Sequence, residues 1–309
     1  MKLPAQNVPW PATLDTTPRG DLYRSSGAVF VLDKALPAYL AAKLEVANEA
    51  WAALLAHDAD LAMLEVCVKR LLEHLHREQP ALLERRIDGW CFVLTGVTIS
   101  DALTVNLERG AWLESIGERI QERVSLESGA RAGVLAIALN IQDDLALMRG
   151  DVAEGLWVML PSTWNPLEKI GLALASIHKP VPNSDALQRA SANLTRAVLE
   201  RGPFERFVWT VQASPQLGAH TAQIMPDDGG AYWRIERQTF LPMSELGRYW
   251  FVIRVHVVPL HSVLNPDRAR GLQVALEQIA SSLTQHKRLE ALLPRIAQTL
   301  EPHLTGHHA

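Results

Sequence analysis

Only two cysteines, Cys67 and Cys91, occur in the 309 residues. Their spacing matches neither a zinc pair nor a redox pair, so each reads as a small buried hydrophobe, one on a helix and one on a strand. A basic excess is missing too: 30 Lys and Arg stand against 34 Asp and Glu, for a net charge of -4. The two signs are interspersed, which leaves no stripe for a phosphate backbone and argues against a nucleic-acid partner. No window approaches the ~20 apolar residues that cross a bilayer. The opening stretch Met1–Asp21 has no apolar run behind Lys2, so a cytoplasmic protein without a membrane segment is expected. Glycine-rich nucleotide loops, a GxSxG elbow, an HExxH helix and a Cys-His signature are all lacking. Nicotinamide, nucleoside-triphosphate, acyl-transfer and zinc-hydrolase chemistries therefore lose their usual support.

What is present is apolar and patterned. At 48% hydrophobic content, the chain can bury one large core or two modest ones. Residues 1–35 are rich in proline and polar groups and end in Ala28-Val29-Phe30-Val31-Leu32, which reads as an arm laid on the body. Helical spacing follows through Leu36, Leu40, Leu44, Ala47, Trp51 and Leu55, and again through Leu61, Leu64, Val68, Leu71 and Leu75. After the Asp88-Gly89 turn signal, Trp90–Leu94 has the character of a buried strand. Residues 111–125 and 132–147 are expected to be helical. Arg149-Gly150-Asp151 then separates Leu145–Met148 from Gly155–Leu160 in a hairpin-like signal. Downstream, Glu205–Ala213, Ala231–Phe240 and Tyr249–Val258 alternate in polarity and are joined by short links, which predicts an antiparallel meander. Helical spacing returns over Pro266–Leu283 and Gln285–Leu300. No internal repeat is evident. The order is that of an α+β fold, an antiparallel sheet flanked by N-terminal and C-terminal helices, because the strands do not alternate with crossover helices.

Two stretches carry potential chemistry. Leu160–Pro182 starts at a strand end, passes an Asn165-Pro166 helix start and stops at His178 before Pro180 and Pro182. Proline stiffens that exit and leaves the imidazole few alternatives, which suits iron ligation; a histidine that caps helix carbonyls is the plainer account. No second metal ligand lies nearby in the sequence. The other stretch is Tyr232–Phe240 with Ile253–His256. On a strand, Arg234, Glu236 and Gln238 share one face while Ile235, Arg237 and Thr239 share the other. With Arg254 on a neighbouring strand, a cluster of guanidinium groups is expected to face the one carboxylate. A solvated ion pair of little energetic weight is the plainer account here; arginines clamping carboxylates, with Glu236 holding a cationic amine, is the functional one. His74 and His76 are expected to be solvated on their helix. The sheet-region tryptophans Trp157, Trp164, Trp209, Trp233 and Trp250 either pack or line a flat cofactor.

Over Leu160–Pro182 the chain resembles the catalytic (alpha) subunit of haem-dependent oxidative N-demethylases, at Pro161, Ser162, Trp164, Glu168, Lys169, Gly171, Leu174, Ala175, Ile177, His178, Pro180, Val181 and Pro182. The likeness continues in Gln142-Asp143-Asp144-Leu145, in Arg234–Phe240, in Ile253-Arg254 and in Pro259-Leu260, and extends from about Asn140 to Leu283. It implies a PAS-type haem domain over residues 131–309, with residues 1–130 forming an arm and helical region packed on it, the two making one domain or a close pair. It also implies oxidative N-demethylation of a small amine such as dimethylamine, with O2 consumed and formaldehyde released. Haem b would be the cofactor, and electrons would come from an external flavin and iron–sulfur reductase; a hetero-oligomer with other subunits is among the assemblies it allows. Carried over by position, His178 is the expected iron ligand, Arg234, Arg237 and Arg254 serve propionates or structural pairs, and Glu236 holds the substrate ammonium. Two departures bear on the distal pocket: His256 stands where the family pattern has Tyr, and Trp209–Pro215 lacks that pattern's acidic pair. The competing expectation is a haem-binding sensor or non-catalytic subunit of the same fold.

Overall fold

The alternating segments downstream of residue 200 form the expected meander, which anchors a seven-stranded antiparallel sheet. In the computed structural model, which describes residues 3–12, 14, 22–25, 27–49, 56–57, 59–161, 166–177, 185–218, 227–279 and 289–305, its strands are β1 (Tyr23–Arg24), β2 (Ala56–His57), β7 (Asp144–Arg149), β8 (Val152–Trp157), β9 (Phe204–Gln212), β10 (Tyr232–Met243) and β11 (Arg248–Pro259). Their spatial order is β1-β9-β10-β11-β7-β8-β2. A second antiparallel sheet, β3 (Leu83–Arg86), β4 (Gly89–Phe92), β5 (Val97–Ser100) and β6 (Val105–Leu107), lies in sequential order. Of these four only β4 is expected from the sequence, through its apolar and aromatic run Trp90-Cys91-Phe92; β5 alternates in burial, but over four residues only.

The helices are α1 (Leu36–Glu49), α2 (Leu61–Glu78), α3 (Glu114–Val124), α4 (Gly129–Asn140), α5 (Leu174–Ile177), α6 (Asp185–Arg201), α7 (Pro266–Gln278) and α8 (Leu293–Leu304). Asp60 caps α2 by accepting from the Ala62 N–H at 3.1 Å, and Asn265 caps α7 by accepting from Arg268 N at 2.8 Å. The helix expected over 132–147 ends at Asn140, and β7 begins at Asp144. Leu145–Met148 is buried on both faces, and periodicity alone does not distinguish such a strand from a buried helix. The break is held by side chains: Asn140 Nδ2 donates back to Ala136 O at 2.8 Å, while its Oδ1 lies 2.5 Å from Thr95 Oγ1.

Side chains across a register pair share a face. One face of the large sheet therefore presents Trp209, Trp233, Ile235, Arg237, Leu241, Trp250, Val252, Arg254 and His256, and the other presents Arg206, Val208, Arg234, Glu236, Gln238, Phe240, Phe251 and Val255. A continuous hydrophobic cluster joins α1, α2, α4 and the second sheet to Leu145, Trp157, Trp250 and Val252, so residues on both sides of position 130 share it. Next to it, α7 and α8 pack on Trp209 and Trp233. On the opposite face, Leu174 and Val198 pack on Ala146, Met148, Phe240 and Tyr249. The N-terminal arm does lie on the body: Lys34 N donates to Pro4 O at 2.8 Å, and Trp10 stacks on Trp233 at 4.4 Å.

Gly117 marks a close approach between α3 and the second sheet, since a Cβ there would collide with the Thr95 carbonyl oxygen. Helix propensity alone would make Gly117→Ala stabilising by ~1 kcal/mol. The collision reverses the sign, and we expect a net loss of about 2 kcal/mol in urea unfolding; a gain would show that the two segments separate freely.

Candidate functional site

Four side chains on one face of the meander form a hydrogen-bonded row. Arg206 Nε donates to Gln238 Oε1 at 2.6 Å, Gln238 Nε2 donates to Glu236 Oε2 at 2.9 Å, and Arg234 Nη2 donates to Glu236 Oε1 at 2.9 Å. The period-two strand makes the row: Arg234, Glu236 and Gln238 project together from β10, and Arg206 is the register partner of Gln238 on β9. Arg234 is 2% exposed, while the Glu236 side chain retains 19% exposure beside Val208 at 37%. A partly exposed carboxylate is thus backed by a guanidinium, and both of its oxygens are oriented by donors.

Arg234 also reaches across to two loops. Its Nη1 donates to Leu217 O and its Nη2 to Leu160 O at 3.0 Å. Gly218 presses against Leu160 so closely that a Cβ would come within 2.5 Å of Leu160 Cα. Leu160 N in turn donates to Asp144 Oδ2 at 2.8 Å. The chain beyond is fixed on the edge of β8: Gly171 N donates to Ala153 O at 2.8 Å, Ala153 N to Leu172 O at 3.0 Å and Leu174 N to Asp151 O at 2.6 Å. Gly171 has φ +73°, a conformation that favours glycine. Leu174 and Ile177 pack on the face that carries Glu236. His178 itself, with Ser162, Trp164, Pro180, Val181, Pro182, His220 and His286, lies outside the described residues.

The opposite face holds the other two arginines. Arg237 Nε donates to Glu205 Oε2 at 2.8 Å, and its amino groups donate to Ala28 O and Val29 O at 2.9 and 3.3 Å. Arg254 pairs with Asp33 at 2.7 Å, lies 3.8 Å from Asp143 and sits over the Tyr39 ring at 4.7 Å. The expected guanidinium cluster facing Glu236 is therefore not formed. Arg254 does lie on the strand next to β10, but its register partner is Arg237, which places it across the sheet from Glu236. Of the two roles expected for these arginines, structural pairing is what Arg237 and Arg254 display.

Buried acids and bases gather around Arg254. Lys43 is wholly buried, donates to Asp143 O at 2.6 Å and Ala138 O at 3.0 Å, and pairs with Asp144 at 3.3 Å. Burial pushes its pKa down, against the pull of Asp144. Burial raises the Asp143 carboxyl despite Arg254 and Lys43, and it pushes the Tyr39 phenol up to about 12. Tyr39 donates to Val255 O and accepts from Gln6 Nε2 at 3.3 Å. His256, 5% exposed, has its Nδ1 3.5 Å from the same Gln6 amide. Burial, reinforced by Arg254, lowers its pKa to about 3.

Other side chains depart from their expected settings. His74 is not solvated but half-buried, with Nε2 2.9 Å from Glu78, and His76 Nδ1 donates to Leu83 O at 2.8 Å. Trp157, Trp209, Trp233 and Trp250 are at most 1% exposed and pack on one another, at 5.9 Å for Trp157–Trp250 and 5.6 Å for Trp209–Trp233; indole packing, not a cofactor wall, accounts for these four. A groove of about 240 Å³ lies between α2 and the β10–β11 turn, rimmed by Arg70, His74, Arg77 and Glu245, on the side away from Glu236. Among the described residues no group of three or more His, Cys, Asp or Glu is arranged to hold a metal ion. Arg206 and Lys43 escape a first reading. Lys43 nevertheless falls in phase with Leu40, Leu44 and Ala47 on the buried stripe of α1, a signal available in the periodicity, whereas Arg206 is placed only by register.

A family model described as haem-dependent oxidative N-demethylase, alpha subunit-like, matches residues 25–297. No curated protein matches the chain.

The low pKa of His256 fixes the sign of one pH effect. The folded protein keeps the ring neutral down to about pH 3, whereas the unfolded chain protonates it below about 6.5, so its contribution to stability falls as pH drops between those values, by at most about 1.4 kcal/mol per pH unit. Urea midpoints measured across this window should fall less steeply in His256→Gln than in the wild type; parallel curves would refute the assignment.

Proposed function

The chain belongs to the haem-dependent oxidative N-demethylase, alpha subunit-like family, and on that premise we propose that it oxidatively removes a methyl group from a small, dimethylamine-like amine. The observation that carries this reading is the convergence on one sheet face of the Glu236 row and of the described chain that ends at Ile177, directly before His178. In this reading the large sheet is PAS-like and haem b docks against the Glu236 face.

The donor set suits such a group in part. A haem asks for an axial base, cationic partners for its carboxylates and an apolar wall. Arg206 supplies positive charge on the Glu236 face, where the Arg234 guanidinium is already taken up by three protein acceptors, and Val208, Val255 and Val257 share that face. His178 is the residue that would hold the iron. Arg237 and Arg254, which lie on the other face and are paired there, are assigned to structural pairing.

When bound, the haem iron would supply the oxidation chemistry, drawing two electrons from an external flavin and iron–sulfur reductase. The balance is secondary methylamine plus O2, two electrons and two protons, giving primary amine, formaldehyde and water. The chain's own part is positional. Glu236, paired with Arg234 at 2.9 Å and oriented by Gln238, accepts the N–H of the substrate ammonium and so holds the methyl carbon in one orientation. The apolar side chains around it limit water.

Two measurements test this. Purified protein, or protein supplied with haemin, should show an intense Soret band that is lost in His178→Ala; a wild-type protein that stays colourless with haemin overturns the proposal. Reduced, haem-loaded protein with O2 should release formaldehyde from a panel of methylated amines, and Glu236→Gln should lower kcat/KM by about 100-fold. A Soret band without formaldehyde from any amine would leave the sensor reading in its place.

A further inference from the structure

The segment from Leu160 to Ile177 is fastened at two places. Its far end is pinned to β8 through Gly171, Leu172 and Leu174. Its near end is held by Asp144, which takes the Leu160 N–H, and by Arg234, which takes the Leu160 carbonyl. The same guanidinium holds the Leu217 carbonyl and the Glu236 carboxylate. Gly218 completes the junction, because any side chain there would drive Leu217–Gly218 away from the Leu160 backbone.

We infer that Arg234 is a positioning residue whose planar guanidinium latches the Leu160 and Leu217 loops to β10 and thereby sets the seat of the segment that leads to His178. Three features make a guanidinium the right group for this work. It is 2% exposed, and three protein acceptors take its N–H groups, which turns it away from a role as a cofactor clamp. The acceptors diverge, and a flat fork of donors spans them where the single ammonium of lysine, on a flexible stem, does not. The carbonyl of Leu160, itself 2% exposed, needs a partner inside the protein. The link to iron rests on the proposed function, but the latch itself does not.

The test uses Arg234→Lys and Gly218→Ala in the full chain, the first removing the fork and the second pushing the loops apart with no change in charge. Amide hydrogen exchange, measured without haemin, should speed up by about tenfold or more at Leu160, Gly171 and Leu174 while the β9–β11 amides keep their protection. With haemin bound, its release should accelerate by about tenfold. Unchanged exchange at Leu160 and Gly171 in Arg234→Lys overturns the latch, and so does protection lost equally across β9–β11, which would mark general destabilisation. Should Arg234→Lys fail to fold, Gly218→Ala decides by the same criteria. A wild-type protein that takes up no haemin sinks the proposed function and leaves the exchange result to judge the latch.

Discussion

Two arginines opposite each other in the middle of a sheet are the constraint on which this fold turns. Arg237 and Arg254 are register partners on β10 and β11, and like charges so placed repel unless each is given an anion. Glu205 comes from the neighbouring strand β9, but Asp33 comes from the segment before α1. The pairing at Asp33 thus obliges the N-terminal segment to cross the sheet, and Gln142 fixes the same carboxylate at 3.0 Å from the other side. Removing either member of a pair buried to this depth leaves an uncompensated charge and costs about 3–5 kcal/mol. Lys43, Asp143 and Asp144 extend the cluster to the α4–β7 junction, so one electrostatic knot ties arm, helix and sheet.

The sheet keeps its two charge systems apart. Alternation along β10 sends Arg237 into the knot and Glu236 to the opposite face, where the anion is met by Arg234 and Gln238. The buried arginine–aspartate knot falls on one side, and the other presents a partly open carboxylate backed by Arg234. A one-residue slip of β10 would exchange the two sets. The complete ladder of pairs from Tyr232–Pro259 to Met243–Arg248 therefore fixes the site as well as the fold.

The meander, the arm and the opposition of Glu236 to Arg237 were legible in the sequence because each follows from a period-two pattern or from composition. Three features were not. The end of α4 was hidden because Leu145–Met148 is apolar on both faces and fits either period. Most of the second sheet was hidden because all its strands are three or four residues long, and β3, β5 and β6 lack the apolar, aromatic run that marks β4. The partner of Arg254 was hidden because Asp33 lies far away in the chain, and only the register of β10 with β11 reveals which face Arg254 takes. The motif from Leu160 to Pro182 pointed to the family, while the charges that hold the approach to His178, Asp144 and Arg234, act through backbone carbonyls and amides that no residue pattern encodes.

Trp10 lies 4.4 Å from Trp233, which lies 5.6 Å from Trp209, with ring planes within 19° of parallel, and Arg268 caps the outer ring at 5.3 Å. Indoles stacked so closely share their excited states, and a guanidinium on the outermost ring perturbs them further. Attachment of the arm is thereby written into the ultraviolet spectrum: the near-ultraviolet circular dichroism and tryptophan emission carry a built-in gauge of whether Trp10 and the chain beside it are seated, with no label added to the protein.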